Sequence, residues 1–98
     1  MSARLKLSGP ARADLLEIWL YIAEDNPGAA DRLLERIHRR CEALARMPKL
    51  GRLRPDLAPG IRSVAVGRYL VFYGETPKGI QVVRIRAGVM DLTRLFEQ

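Results

Sequence analysis

The stretch Ile61-Arg62-Ser63-Val64-Ala65-Val66-Gly67-Arg68-Tyr69-Leu70-Val71-Phe72-Tyr73-Gly74 holds two β-rich runs on either side of Gly67-Arg68. Glycine at the first loop position suits a two-residue type II′ turn, whose twist matches antiparallel strands. That loop fixes the register: Val66 faces Tyr69, Val64 faces Val71, and Arg62 faces Tyr73. These six side chains share one face of the sheet, and Ile61, Ser63, Ala65, Leu70 and Phe72 point the other way.

A third run, Ile80 to Ala87, follows Thr76-Pro77-Lys78-Gly79, a loop able to close a second hairpin. The apolar pair Val83 and Ile85 joins Leu70 and Phe72 as core in this reading. Arg84 and Arg86 then share the opposite face with Arg62 and Tyr73. The expectation is a sheet with one apolar face under helices and one face of arginines and tyrosines left open.

Upstream, Arg4-Leu5-Lys6-Leu7 reads as a short alternating strand. Ser8 is placed as the N-cap of a helix reaching about Asp25, with Pro10 in its first turn and Asp14 and Glu17 where the dipole favours acids. Leu15, Ile18, Trp19 and Ile22 have the spacing of a buried stripe. If Trp19 is core, Trp19→Ala costs roughly 3–5 kcal/mol. Asn26 and Pro27 suit the N-cap and first position of a second helix. Its stripe is Ala30, Leu33, Leu34, Ile37, Cys41, Leu44 and Ala45, and the short break makes the two helices an antiparallel hairpin.

Met47-Pro48 ends the second helix, and Pro48 to Gly60 reads as a basic loop carrying Lys49, Arg52 and Arg54. Met90 to Gln98 reads as a short C-terminal helix with Leu92, Leu95 and Phe96 as an apolar edge. The order β-α-α-β-β-β predicts a two-layer α+β fold: an antiparallel sheet, a helical hairpin on one face and the short terminal helix.

A chain of 98 residues argues for one domain spanning 1–98. Its net charge of +6 permits a nucleic acid or an acidic protein as partner and does not choose between them. One cysteine and one histidine exclude an internal disulfide and a Cys/His zinc site. No apolar run approaches the roughly 18 residues of a membrane span, and a cytoplasmic location is expected. Cys41 falls on an apolar stripe and reads as an inert thiol. His38 sits among arginines and reads as a surface residue rather than a general base. No phosphate loop or metal spacing is present, so neither a cofactor nor a metal is expected. Arg62, Arg84 and Arg86 beside Tyr73 read either as an ordinary solvated face or as a surface for an anionic partner, since arginine forks carboxylates and phosphates.

Several groups of residues follow a recognisable order. They are Ala13-Asp14-Leu15-x-x-Ile18-x-x-Tyr21-Ile22-Ala23, Asn26-Pro27 with Ala30, and Leu44-Ala45-x-x-Pro48-x-x-Gly51. Arg62-x-x-x-Val66-Gly67-x-Tyr69-Leu70-Val71-Phe72-Tyr73 follows, then Val83-Arg84-Ile85 before Asp91-Leu92. In these the chain resembles the ParE toxins of bacterial type II toxin–antitoxin modules, within the ParE/RelE superfamily.

The resemblance implies a ParD-like antitoxin whose acidic, amphipathic C-terminal segment wraps the toxin, and DNA met only through that antitoxin. ParE relatives are linked to poisoning of DNA gyrase, and RelE relatives cleave mRNA on the ribosome. Relatives often carry a histidine before the glycine after the last strand, where this chain has Ala87-Gly88-Val89-Met90. No His or Tyr follows Tyr73 to take a proton, which argues for a binding toxin without catalytic residues. The alternatives are a RelE-like endonuclease, or a degenerate toxin acting only in antitoxin binding and operon autoregulation. Arg62, Val64, Val71, Tyr73, Arg84 and Arg86 are the expected antitoxin-binding residues, and Leu92, Leu95 and Phe96 the expected contacts to the cellular target.

Overall fold

The computed structural model describes residues 4–88. Strand β1 (Arg4–Leu7) leads through Ser8 into helix α1 (Gly9–Ala23) and helix α2 (Pro27–Arg46). A single 3-10 turn (Pro48–Leu50) precedes the two-residue strand β2 (Arg52–Leu53), then β3 (Ile61–Val66), β4 (Tyr69–Thr76) and β5 (Gly79–Ala87). The five strands lie in the order β1-β5-β4-β3-β2. The expected two-layer α+β arrangement is present. The sheet is antiparallel from β2 to β5, and β1 differs by adding a strand parallel to β5. The stretch read wholly as loop also contributes β2. The C-terminal helix expected over 90–98, with Leu92, Leu95 and Phe96, lies outside the described residues.

Local chemistry explains the boundaries. The Ser8 hydroxyl accepts from Ala11 N at 3.1 Å and donates to the Val83 carbonyl at 2.9 Å, so one side chain caps α1 and ties its start to β5. Asn26 Oδ1 accepts from Ala29 N at 3.0 Å and caps α2, with Pro27 in the first turn. Gly67 has φ +59°, and among the described residues no side-chain-bearing residue has positive φ, which is the signature of a II′ turn. The register set by that turn pairs Val66 with Tyr69, Val64 with Val71 and Arg62 with Tyr73, as the sequence dictates. Gly79 is required for another reason: a Cβ there would stand 2.0 Å from the Arg4 carbonyl oxygen, inside the β1–β5 pairing.

The expected face assignment is inverted. Val66, Tyr69, Val71 and Tyr73 form the helix-covered core with Ile37, Cys41 and Leu44 of α2 and Ile80, Val82 and Ile85 of β5. Val64 packs against the same cluster. Phe72, also buried, lies on the other face opposite Ser63 and Arg84. Part of the reason is an irregularity between Phe72 and Tyr73. Phe72 pairs with Arg84 but Tyr73 with Val82, so Val83 drops out of the alternation and Val82 and Ile85 share a face three residues apart. Val83 and Ile85 therefore do not act as a pair, and Arg84 and Arg86 do not share a face with Tyr73.

The stripe on α2 is as expected: Ala30, Ile37, Cys41, Leu44 and Ala45 are buried. Each large member stabilises the fold by roughly 1.5–3 kcal/mol through burial alone. On α1, Leu15, Ile18 and Ile22 pack against the core. Trp19 does not belong with them. It is half-buried at the seam between the helices, and its indole N–H donates to Asp31 Oδ1 at 2.8 Å. Trp19→Ala is accordingly expected to cost only about 1–2 kcal/mol, a partial packing loss plus one hydrogen bond. A urea-melt difference above about 3 kcal/mol would return Trp19 to the core.

Candidate binding surface

The residues singled out by the sequence separate into two internal clusters, neither of which is an open face. The first is built on Asp14. At 5% exposure its carboxylate accepts from Arg84 Nε at 2.7 Å, Arg84 Nη2 at 3.1 Å and Ile85 N at 3.0 Å, and Arg86 Nη1 lies 3.5 Å away. β1 ends opposite Val82, so beyond it no strand among the described residues neighbours that edge of β5. Asp14 takes that place, satisfying a strand N–H and neutralising two guanidiniums at once. Burial acts to raise the Asp14 pKa. The hydrogen bonds from Arg84 and Ile85, with the charges of Arg84 and Arg86, outweigh it and hold the carboxyl below its ordinary value.

The second cluster surrounds the Tyr73 hydroxyl, which donates to the Pro48 carbonyl at 2.7 Å and accepts from Gly51 N at 2.7 Å. Arg62 Nη1 donates to the Gly51 carbonyl at 2.8 Å. A strand tyrosine and a strand arginine thus fix the turn that leaves α2. Burial, the dominant influence, raises the Tyr73 pKa.

These contacts take the expected antitoxin-binding residues off an open face. Val71 and Tyr73 are fully buried and Val64 is half-buried beneath the helices, while Arg62, Arg84 and Arg86 all have partners within the chain. Leu92, Leu95 and Phe96 fall outside the described residues. Cys41 is buried and its thiol is pushed up to about 11 by desolvation, so almost no thiolate exists at neutral pH. His38 is exposed on α2, 3.6 Å from Glu42.

What lies open is a surface that the sequence reading passed over. Helix α1 is apolar on both sides: while Leu15, Ile18 and Ile22 face the core, Leu16, Leu20 and Tyr21 are 58%, 53% and 74% exposed. A surface helix ordinarily shows one apolar stripe and a polar back. The signal was present in Leu15-Leu16 and Trp19-Leu20-Tyr21. Beside this helix runs a groove of about 460 Å³ whose lining includes Asp14, Glu17, Tyr21, Arg68, Tyr69 and Arg86. A second bare apolar patch, Met47, Leu50 and Leu53, lies by β2 at the sheet edge. Among the described residues no helix is long and apolar enough to cross a membrane, and no cluster of His, Cys, Asp or Glu is placed to hold a metal.

Both clusters use residues of the recurring pattern, Asp14 with Arg84 and Gly51 with Tyr73, and comparison with known proteins gives that pattern its family. The profile of the ParE toxin of type II toxin–antitoxin systems matches residues 5–92. Toxin ParE1 of Mycobacterium tuberculosis is 35% identical over 97 residues, covering 96% of this chain and 98% of that protein. Toxin ParE3 of Caulobacter vibrioides is 33% identical over 84 residues, covering 85% and 84%. A solved structure of the chromosomal ParDE toxin–antitoxin system of P. aeruginosa superposes with a TM-score of 0.71 at 28% identity, covering 89% of this chain and 95% of that one. The toxin–antitoxin complex RelBE2 of Mycobacterium tuberculosis shares the fold, with a TM-score of 0.58 at 24% identity, covering 89% and 99%. The chain belongs to the ParE family: it is a ParE-type toxin of a type II toxin–antitoxin system.

Proposed function

We propose that the chain arrests growth by binding DNA gyrase, without chemistry of its own, and is neutralised by a ParD-like antitoxin seated on the outer face of α1. The gyrase reading rests on membership of the ParE family. Support for binding over cleavage comes from the candidate proton carriers. The Tyr73 hydroxyl is buried between a carbonyl and an N–H, and His38 sits beside Glu42 on an exposed helix face. A ribonuclease would need such a group free to meet a reacting hydroxyl.

The observation that carries the antitoxin site is the exposed apolar side of α1, Leu16 and Leu20, with Tyr21 on its flank at the groove. An amphipathic segment laid along α1 buries that face, and its carboxylates meet Arg68 across the groove. This replaces the sheet face inferred from sequence.

Expression of the chain alone in a bacterium, with a purified-gyrase supercoiling assay, tests the target. Filamentation, an SOS response and inhibited supercoiling are expected. Immediate translation arrest with cut mRNA would instead make the chain a RelE-like endonuclease, and normal growth a degenerate toxin. For the antitoxin site, Leu16→Asp with Leu20→Asp is expected to weaken binding of the antitoxin encoded beside the toxin at least about 30-fold, the effect of losing about 2 kcal/mol at an interface centre. Lys78→Ala should leave it unchanged. If Leu50→Asp with Leu53→Asp weakens binding instead, the antitoxin covers the β2 edge.

A further inference from the structure

The exposed surface of α2 is divided by charge. At 100° per residue Arg32, Arg36, Arg39, Arg40 and Ala43 fall within one narrow arc, and Asp31, Glu35 and Glu42 fall on the flank beside it. Only Arg39 reaches across, to pair with Glu35. Among the described residues Arg36 and Arg40 have no ion-pair or hydrogen-bond partner. Like charges four residues apart destabilise a helix by roughly 0.2–0.5 kcal/mol per pair, and this ridge contains two such pairs, Arg32 with Arg36 and Arg36 with Arg40.

The ridge faces the tip of the central hairpin. Arg36, Arg39, Arg40 and Ala43 form one wall of a shallow groove of about 450 Å³, and Ala65, Val66 and Gly67 form the other. Arg36 Nη1 lies 3.7 Å from the position a Cβ on Gly67 would take, so the turn glycine leaves the guanidinium room over the tip. This groove is separate from the one beside α1, with which it shares no lining residue.

We propose that this groove docks the phosphate backbone of duplex nucleic acid. Three features of its lining favour that partner over an acidic protein or a single strand. Its apolar part is alanine, glycine and a Val66 that is 6% exposed, so it offers no pocket for the large anchors on which protein interfaces depend. Its charged part is arginine alone, which forks phosphate oxygens. It contains no aromatic ring on which unpaired bases could stack. The contact is therefore electrostatic and indifferent to sequence. It holds the toxin against duplex directly, independently of the antitoxin and of whether gyrase is the target.

The test is fluorescence anisotropy of a short mixed-sequence DNA duplex titrated with the full chain over a range of salt concentrations. Binding should weaken with a log–log salt slope of about −2 to −3, from release of the counterions of two or three phosphates. Arg36→Glu with Arg40→Glu should weaken duplex binding about tenfold or more and flatten the slope by about 2. Lys6→Glu with Lys78→Glu makes the same change in net charge elsewhere and should have a much smaller effect. Thermal melts establish that each variant is folded, and Arg36→Gln with Arg40→Gln serves if the glutamate pair is not. Equal losses in ridge and control variants would overturn the proposal by reducing the effect to net charge. Tighter binding of a single strand, or displacement of the duplex by polyglutamate at equal charge concentration, would overturn it in favour of those partners.

Discussion

Asp14→Ala is expected to lower the unfolding free energy by about 3 kcal/mol in urea melts at neutral pH. The substitution leaves the Ile85 N–H without its acceptor and removes the counter-charge of Arg84 and Arg86. Losing one partner of a well-buried pair costs about 3–5 kcal/mol. The lower end applies because both arginine side chains are about a quarter exposed, at 24% and 25%, and recover some hydration.

A pH signature accompanies it. The folded carboxyl lies below the ordinary value of 3.8 that the unfolded chain retains. Its stabilisation is therefore complete above the unfolded pKa and is lost as pH falls through 3.8 and on through the lower folded value. The parent should lose stability over that window, and Asp14→Ala should lose less. Asp14→Asn keeps an acceptor for Ile85 N–H but not the charge, so it should fall between the two at neutral pH. A loss below about 1 kcal/mol for the alanine variant would mean that α1 is held to the β5 edge by its apolar stripe alone.

The parts of this fold legible in the sequence are those fixed by local chemistry. Gly67-Arg68 dictates a turn, the turn dictates a register, and the register is observed. Ser8 and Asn26 cap the helices because a short oxygen side chain there meets unpaired N–H groups wherever the helix later packs.

The face of the sheet was not legible, because it turns on partners distant in sequence. Tyr69 and Tyr73 count as half-polar in an alternating pattern, which argued for an open face. Tyr73 is nevertheless fully buried because Pro48 and Gly51, 25 and 22 residues away, satisfy its hydroxyl. Asp14 reads from sequence as a dipole-favoured surface acid, and only the fold brings it 70 residues across to Arg84. A skipped residue in β5 cannot be read from alternation, since the residue skipped, Val83, is apolar like Val82 before it. The outward stripe of α1 was readable. It was overshadowed by the inner stripe, which satisfies the helical pattern by itself. The arginines singled out on the strands, Arg62, Arg84 and Arg86, have internal partners, and those of the proposed duplex groove are on α2.

The Tyr73 cluster leads to the second large effect, at Gly51. A Cβ there would stand 2.2 Å from the Tyr73 hydroxyl and 2.7 Å from its ring, both impossible distances. The glycine is not needed for an unusual backbone, since Gly51 has an ordinary extended conformation at φ −72° and ψ 153°. It is needed for space. Gly51→Ala must push the tyrosine aside or lift the Pro48–Leu50 turn, and either movement breaks the bonds that Tyr73 makes to Pro48 and Gly51. Overpacking of about 1–3 kcal/mol and the desolvated groups left behind sum to an expected loss of about 3 kcal/mol or more. Gly9→Ala is the matched comparison. Nothing lies within 4 Å of a Cβ at Gly9 in the first turn of α1, so the change should be neutral or stabilising by up to about 1 kcal/mol. Tyr73→Phe separates the two contributions at Gly51. It removes the hydroxyl but keeps the ring at 2.7 Å, so adding Gly51→Ala to it should still cost about 1–2 kcal/mol, less than in the parent. Thermal or urea melts of the four proteins complete that cycle. An unchanged midpoint for Gly51→Ala alone would show that the turn after α2 is loosely held and that Tyr73 does not anchor it.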